Sequence, residues 1–249
     1  MYLLLFHIQN ITILFWQLLR RTFSKPFYWR DLLFEMDSLG FASLPITILT
    51  GIFLGLVLTL QAAIGVHKIG AVSLVPRAIT ISLIREIGPV VGSLMIAGRV
   101  GSGITSQIGS MKVTYQLDAM RVLGTDPLRK LILPKFLAIT IMLPLLIILL
   151  CFSGLVSAYF LASVNLNIGA VFFWNEVLRG IKFLDLINNI TKSLVFGGII
   201  GLFGNYFGLE VEGGTEGVGR ATTTSVIVIF ISILAADFIL TKIFYEILK

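Results

Sequence analysis

The chain of 249 residues is 57% hydrophobic and only 13% charged. Its mean hydropathy is +0.98, whereas a soluble domain carries roughly 25% charged residues, so the composition argues against a water-soluble globule. The formal charge of +6 does not indicate nucleic acid, because the cations stand scattered at the ends of apolar runs, where membrane topology and anionic headgroups account for them.

The apolar runs are continuous rather than alternating. In a bilayer every backbone donor and acceptor must be satisfied internally, so such runs mean helices. The stretch Met1 to Leu19 lacks the leading basic residue of a secretory signal and is expected to be retained. Broken by Gln9, Asn10 and Gln17 and followed by Arg20, Arg21, Lys25 and Arg30, it reads as a helix lying in the interface, within an amino-terminal segment 1–37. A span there remains an alternative. No charge occurs from Ser38 to Val66, and residues 44–63 supply the roughly 20 residues that a bilayer core requires. The second span, 79–98, contains Arg85 and Glu86 near its middle. The polar stretch Arg99 to Lys135 reads as a substantial loop, and the third span, 136–162, carries Pro144 as a kink. Val171 to Leu184 mixes aromatics with Glu176, Arg179 and Lys182 and reads as interfacial. Spans 186–209 and 221–241 follow, separated by the glycine-rich, acidic stretch Glu210 to Arg220, read as a flexible turn. The expected architecture is all-α and integral to the membrane, one polytopic domain of residues 1–249 with five spans.

Orientation follows from the cations beside the spans. Eleven flank one side: Arg20, Arg21, Lys25, Arg30, Arg99, Lys112, Arg121, Arg129, Lys130, Lys135 and Arg220. Six flank the other: Lys68, Arg77, Arg179, Lys182, Lys242 and Lys249. The positive-inside rule places the amino-terminal segment and the long loop in the cytoplasm and the carboxyl terminus outside.

Enzyme signatures are missing. The sequence holds no HExxH, no GxSxG and no Gly-Lys dipeptide, so it has no phosphate-cradling P-loop and cannot hydrolyse ATP alone. The single Cys151 lies in an apolar run and makes no disulfide, metal or redox motif; no metal or cofactor is expected, and isolated His7 and His67 are assigned no role. Glycines four residues apart at Gly51 and Gly55, Gly88 and Gly92, Gly197 and Gly201, and Gly204 and Gly208 read as close helix packing.

Two segments invite a functional reading. Arg85 and Glu86 each need a partner, such as Gln61, Lys192, Asp237 or a substrate headgroup, because a charge near the bilayer centre costs several kcal/mol on insertion scales. A structural ion pair between helices and a substrate-path role are both open. The stretch Ile104 to Leu123 is compatible with an amphipathic helix, with Ile108, Met111, Tyr115, Met120 and Val122 apolar among polar neighbours; it presents Ile108, Met111 and Met120 to a partner or to the membrane surface and ends at Gly124, Asp126 and Pro127.

At these residues the sequence resembles the MlaE family, the permeases of bacterial lipid ABC transporters, also represented in the lipid importer of the chloroplast inner envelope. The resemblance rests on LIREIGPVVGSLMIAGRVGSGITSQIGSMKVTYQLDAMRVLGTDPLRKLILPKFLA, from Leu83 to Ala138, and EGVGRATTTSVIVIFISILAADFILT, from Glu216 to Thr241, with weaker agreement in GIFLGLVLTLQ and FFWNEV. It implies a homodimeric permease in a bacterial cytoplasmic or plastid inner envelope membrane, moving phospholipid or a related lipid. A separate ABC ATPase would bind the ATP and dock on the cytoplasmic side, and a Mce-type substrate-binding protein would sit opposite. The Ile104 to Leu123 helix would be the cytoplasmic coupling helix, with Gln107, Ile108, Gly109, Met111, Gln116, Asp118 and Met120 as its coupling residues. Gln61, Arg85 and Glu86 would face the substrate. The family usually has acidic residues where Gln107 and Tyr115 stand, a departure that bears on the ATPase contacts. The alternative from another class is an ion-coupled secondary transporter using Arg85, Glu86, Lys192 and Asp237.

Overall fold

The computed structural model describes residues 2–22, 24, 27–67 and 72–247. Lys25, Lys68 and Lys249, counted above for orientation, lie outside the described residues. Eleven α-helices are described: α1 Tyr2–Thr22, α2 Trp29–Glu35, α3 Leu44–His67, α4 Val75–Ser82, α5 Gly88–Ile96, α6 Ser102–Val113, α7 Gln116–Val122, α8 Leu133–Leu166, α9 Ala170–Gly180, α10 Phe183–Leu209 and α11 Gly214–Ile247. Several join end to end through π-helical or 3-10 turns. Among the described residues five helical stretches are long and apolar enough to cross a membrane: Trp29–Gly65, Val75–Val113, Leu128–Leu166, Phe183–Leu209 and Gly214–Glu246.

These bounds differ from the hydropathy reading in instructive ways. The first long helix starts at Trp29 rather than near residue 44, passing through a π turn at Met36–Gly40 and a 3-10 turn at Phe41–Ser43. The second continues through a π turn at Ala97–Gly101 into α6, so Arg99 to Val113 is helix and not loop. Charge limits how much of a helix can sit in lipid, but it does not stop the helix from extending into water. The expected single helix Ile104 to Leu123 is broken, because Tyr115 adopts a left-handed φ of 58° between α6 and α7. The flexible turn shrinks as well. Gly213 and Gly214, with φ of 85° and 69°, make the reversal, while Gly217 and Gly219 already belong to α11.

Two compact units divide the chain, each drawing on the amino-terminal, middle and carboxyl-terminal thirds of the sequence. The first comprises Met1–Ala42, Ile96–Leu143 and Val195–Ala236. In it α10 packs on α8 and α6 through the small residues that the spacing singled out. A methyl added at Gly197 would stand 2.8 Å from Thr140 Cα, and one at Gly208 would stand 2.8 Å from Ile108 Cβ. Buried Lys135 ties three elements together, donating to Glu35 Oε1 of α2 at 2.5 Å and to Gln107 Oε1 of α6 at 2.8 Å. Asp126 steadies the turn before α8, accepting from the Leu128 backbone at 3.0 Å and pairing with Arg21 of α1 at 2.7 Å.

The second unit comprises Ser43–Met95, Pro144–Leu194 and Asp237–Lys249. Here Gly51 and Gly55 bring α3 against α8, where any Cβ would collide with the Leu150 and Gly154 carbonyls. The contact is sealed by Ser153 and Ser157, which donate to the Ile48 and Ile52 carbonyls at 3.3 and 2.9 Å. The expected interfacial segment is α9, whose Phe173 and Val177 are buried while Val171 and Leu178 are exposed.

Candidate functional site

The second unit contains a polar cluster that starts from a backbone defect. A π turn at Leu83–Ile87 shifts the Gly88 amide onto the Leu83 carbonyl, which frees the Ile84 carbonyl from its ordinary i+4 donor. The next candidate donor, residue 89, is proline and has no N–H, so the Arg85 carbonyl is freed as well. Buried carbonyls must find other donors. Asn189 Nδ2 reaches the Ile84 carbonyl at 2.7 Å, while Lys192 Nζ and Asn188 Nδ2 reach the Arg85 carbonyl at 3.3 and 3.5 Å.

The side chains of the same turn complete the cluster. Lys192, with none of its side chain exposed, donates to Glu86 Oε2 at 2.6 Å and to Thr241 Oγ1 at 2.8 Å, and forms an ion pair with Asp237 Oδ1 at 2.8 Å. The Thr241 hydroxyl is 3.3 Å from Glu86 Oε2. Arg85 holds buried Asp185 through one hydrogen bond, Nη2 to Oδ2 at 3.2 Å, and a close charge contact between Nε and Oδ1 at 2.7 Å. Asp185 in turn accepts from the Lys182 backbone at 3.0 Å and so caps α10. Arg85 and Glu86 therefore find separate partners, as their position on adjacent helical residues requires.

Of the partners weighed for these charges, Lys192 and Asp237 are in the cluster. Gln61 lies elsewhere in this unit, lining a separate cavity of about 280 Å³ with Leu58, Ala78 and Ser82. The reading of isolated residues missed Asp185, Asn188, Asn189 and Thr241. A signal for them was present: Asp185, Asn188, Asn189 and Lys192 are spaced 3, 4 and 7 residues apart, which puts them on one helical face. Asp237 and Thr241 repeat that spacing on α11. Among the described residues no group of three His, Cys, Asp or Glu side chains could hold a metal ion.

The coupling residues belong to the first unit and split into two sets. Ile108 and Gly109 are buried, Ile108 against Gly208 and Gly109 against Val211 and Val218. This corrects the expectation that Ile108 offers an apolar surface to a partner, since packing within the chain already uses it. Gln107 is exposed but accepts from Lys135. Met111 and Met120 are half-buried, and Gln116 and Asp118 are exposed, Asp118 pairing with Arg121 at 3.0 Å. The apolar surface around the Tyr115 break comes from Tyr115 and Val122, both among the apolar positions of the expected helix, and from Leu123, which was not: they are 74%, 88% and 81% exposed.

A chain whose described residues include five helical stretches long and apolar enough to cross a membrane, with five ionisable side chains ion-paired within them, is a multi-pass membrane protein of the permease type. The Permease MlaE family matches residues 32–243, and the chain belongs to that family. Its relatives include a probable ABC transporter permease protein of Rickettsia conorii, 34% identical over 89% of this chain and 86% of that protein. A probable ABC transporter permease protein of Synechocystis is 37% identical over 87% and 82% of the two chains. The chloroplastic protein TRIGALACTOSYLDIACYLGLYCEROL 1 of Arabidopsis thaliana is 32% identical over 95% of this chain and 68% of its own length.

Proposed function

We propose that this chain is the transmembrane subunit of an ABC transporter that moves phospholipid or a related lipid, in a bacterial cytoplasmic or plastid inner envelope membrane. A separate ATPase drives it, and a Mce-type substrate-binding protein meets it on the opposite side. The observation that carries the ATPase reading is the α6–α7 break, where Tyr115, Val122 and Leu123 are exposed beside exposed Gln116 and Asp118. Apolar side chains in a polar surround are what a partner buries at the centre of an interface, and the sequence itself has no P-loop. A homodimer accords with the last span, since only 11% of its most apolar stretch is buried within the chain. The lipid reading rests on family membership and on the partly exposed Glu86 and Arg85 within the spans. Ion-coupled transport is less well supported, because the intramembrane charges close on one another rather than forming a file.

The test is co-purification. The permease is co-expressed with candidate ABC ATPases from the same genome, and the Val122→Asp, Leu123→Asp double variant is compared with wild type by pull-down and ATPase assay in nanodiscs. The expected result is loss of the complex with unchanged size-exclusion behaviour of the permease. Full retention of complex and activity overturns the docking site, and lipid transport by the permease without any ATPase overturns the transporter class.

A further inference from the structure

We propose that the Lys192 cluster recognises a lipid headgroup carrying an ammonium group, an inference that rests on the lipid-permease reading above and narrows its substrate class. The cluster is short of donors. A lysine ammonium offers three protons, but Lys192 Nζ faces four acceptors: Glu86 Oε2 at 2.6 Å, Asp237 Oδ1 and Thr241 Oγ1 each at 2.8 Å, and the Arg85 carbonyl at 3.3 Å. The one proton of the Thr241 hydroxyl is directed to Glu86 at 3.3 Å. Two further acceptors, the side-chain oxygens of Asn188 and Asn189, have no donor although both residues are only 3% exposed. Asn188 belongs to the same cluster, because its Nδ2 donates to the Arg85 carbonyl that Lys192 also reaches.

The charges tell the same story independently. Two cations, Arg85 and Lys192, stand with three carboxylates, Glu86, Asp185 and Asp237. Asp185 is paired with Arg85, and Lys192 is shared between the other two, which leaves one carboxylate in excess. Accessibility picks out which one a ligand meets: the Glu86 side chain is 42% exposed, against 19% for Asp237 and 3% for Asp185. A ligand that brings hydrogen-bond donors and one positive charge satisfies both shortages. An ammonium headgroup does so, whereas a hydroxyl headgroup on the same phosphate brings donors without charge. The discrimination rests on one charge-assisted hydrogen bond in a partly dry site, a class of interaction stronger than its neutral counterpart.

The experiment uses the full-length protein in detergent and measures binding of phosphatidylethanolamine and phosphatidylglycerol with identical acyl chains, by native mass spectrometry. Wild type is expected to prefer phosphatidylethanolamine by about tenfold, the factor that roughly 1.4 kcal/mol represents. Glu86→Gln, which removes the excess carboxylate, is expected to bring the ratio to near one. Asp237→Asn is the second variant, because it leaves Glu86 as the sole counter-ion of Lys192 and also cancels the excess. Equal wild-type binding of both lipids overturns the headgroup assignment while leaving a lipid permease standing, and so does a preference that survives both substitutions. Binding of neither lipid overturns the underlying lipid reading with it. Displacement of the lipid by an equal concentration of soluble glycerophosphoethanolamine would mean a free amine is the ligand and would overturn the lipid source.

Discussion

Replacing Lys192 with methionine tests whether the polar cluster holds the second unit together. The side chain is fully buried and serves two carboxylates, one hydroxyl and one backbone carbonyl. Breaking a fully buried pair by removing one partner costs about 3–5 kcal/mol. That range has to be divided here. Glu86, with 42% of its side chain exposed, can turn to water or headgroups, so its share is at most about 1 kcal/mol. Asp237, 19% exposed, is left as a poorly solvated carboxylate and contributes about 2 kcal/mol. The Arg85 carbonyl keeps only the long contact from Asn188 at 3.5 Å, adding about 1 kcal/mol. The expected loss is about 4 kcal/mol, close to three orders of magnitude in the folding equilibrium. Reversible unfolding in mixed micelles, followed by circular dichroism, measures it. The double variant Lys192→Met, Asp237→Asn is expected to recover about 2 kcal/mol, because no unpaired carboxylate remains beside the methionine. A loss below about 1 kcal/mol for the single variant, or no recovery in the double, refutes this account of the cluster.

Pro89→Ala returns an amide to the position that the Arg85 carbonyl lacks, so it is expected to reduce the cost of Lys192→Met by about 1 kcal/mol, read from the same unfolding experiment. Ile108→Asp places an unpaired charge in the packed contact with Gly208 and is expected to destabilise the isolated permease by about 4 kcal/mol, whereas Val122→Asp changes its stability by less than about 0.5 kcal/mol; thermal unfolding of the two variants distinguishes a packing residue from a docking residue. For membrane orientation, cysteines placed at Lys112 and Glu216 are expected to react with an impermeant thiol reagent from the cytoplasmic side and one at Asn167 from the other, and labelling of Lys112 and Asn167 from the same side contradicts the assignment.

The spans were readable because a bilayer imposes length and apolarity on any segment that crosses it. Their ends were not, since hydropathy records where lipid stops and not where the helix stops: Arg99 to Val113 is polar and still helical. The break at Tyr115 escaped notice because neither Gly nor Asn, the usual occupants of left-handed backbone, stands there. Arg85 and Glu86 stood out as charges inside a span, and two of their partners, Lys192 and Asp237, could be named for the same reason. Asp185 and the two asparagines required reading the polar residues of α10 as a stripe rather than one at a time. The role of Pro89 depends on the π turn, a feature that periodicity does not show.

The ion network also bears on how the protein is made. Arg85 and Glu86 are synthesised 100 and 106 residues before Asp185 and Lys192, the partners that neutralise them. At about 5–20 residues per second of translation, the second span emerges roughly 5–20 seconds ahead of α10. During that interval it carries two uncompensated charges, each worth about 2.5–3.5 kcal/mol against membrane insertion. Its early residence is therefore at the protein wall of the insertion machinery or in a hydrated vestibule, and release into lipid becomes favourable only as α10 arrives. Biogenesis of this permease is thus a problem of order as well as of hydrophobicity: a chain truncated before Asp185 is expected to insert its second span less efficiently than the full-length chain, however apolar its first three spans are.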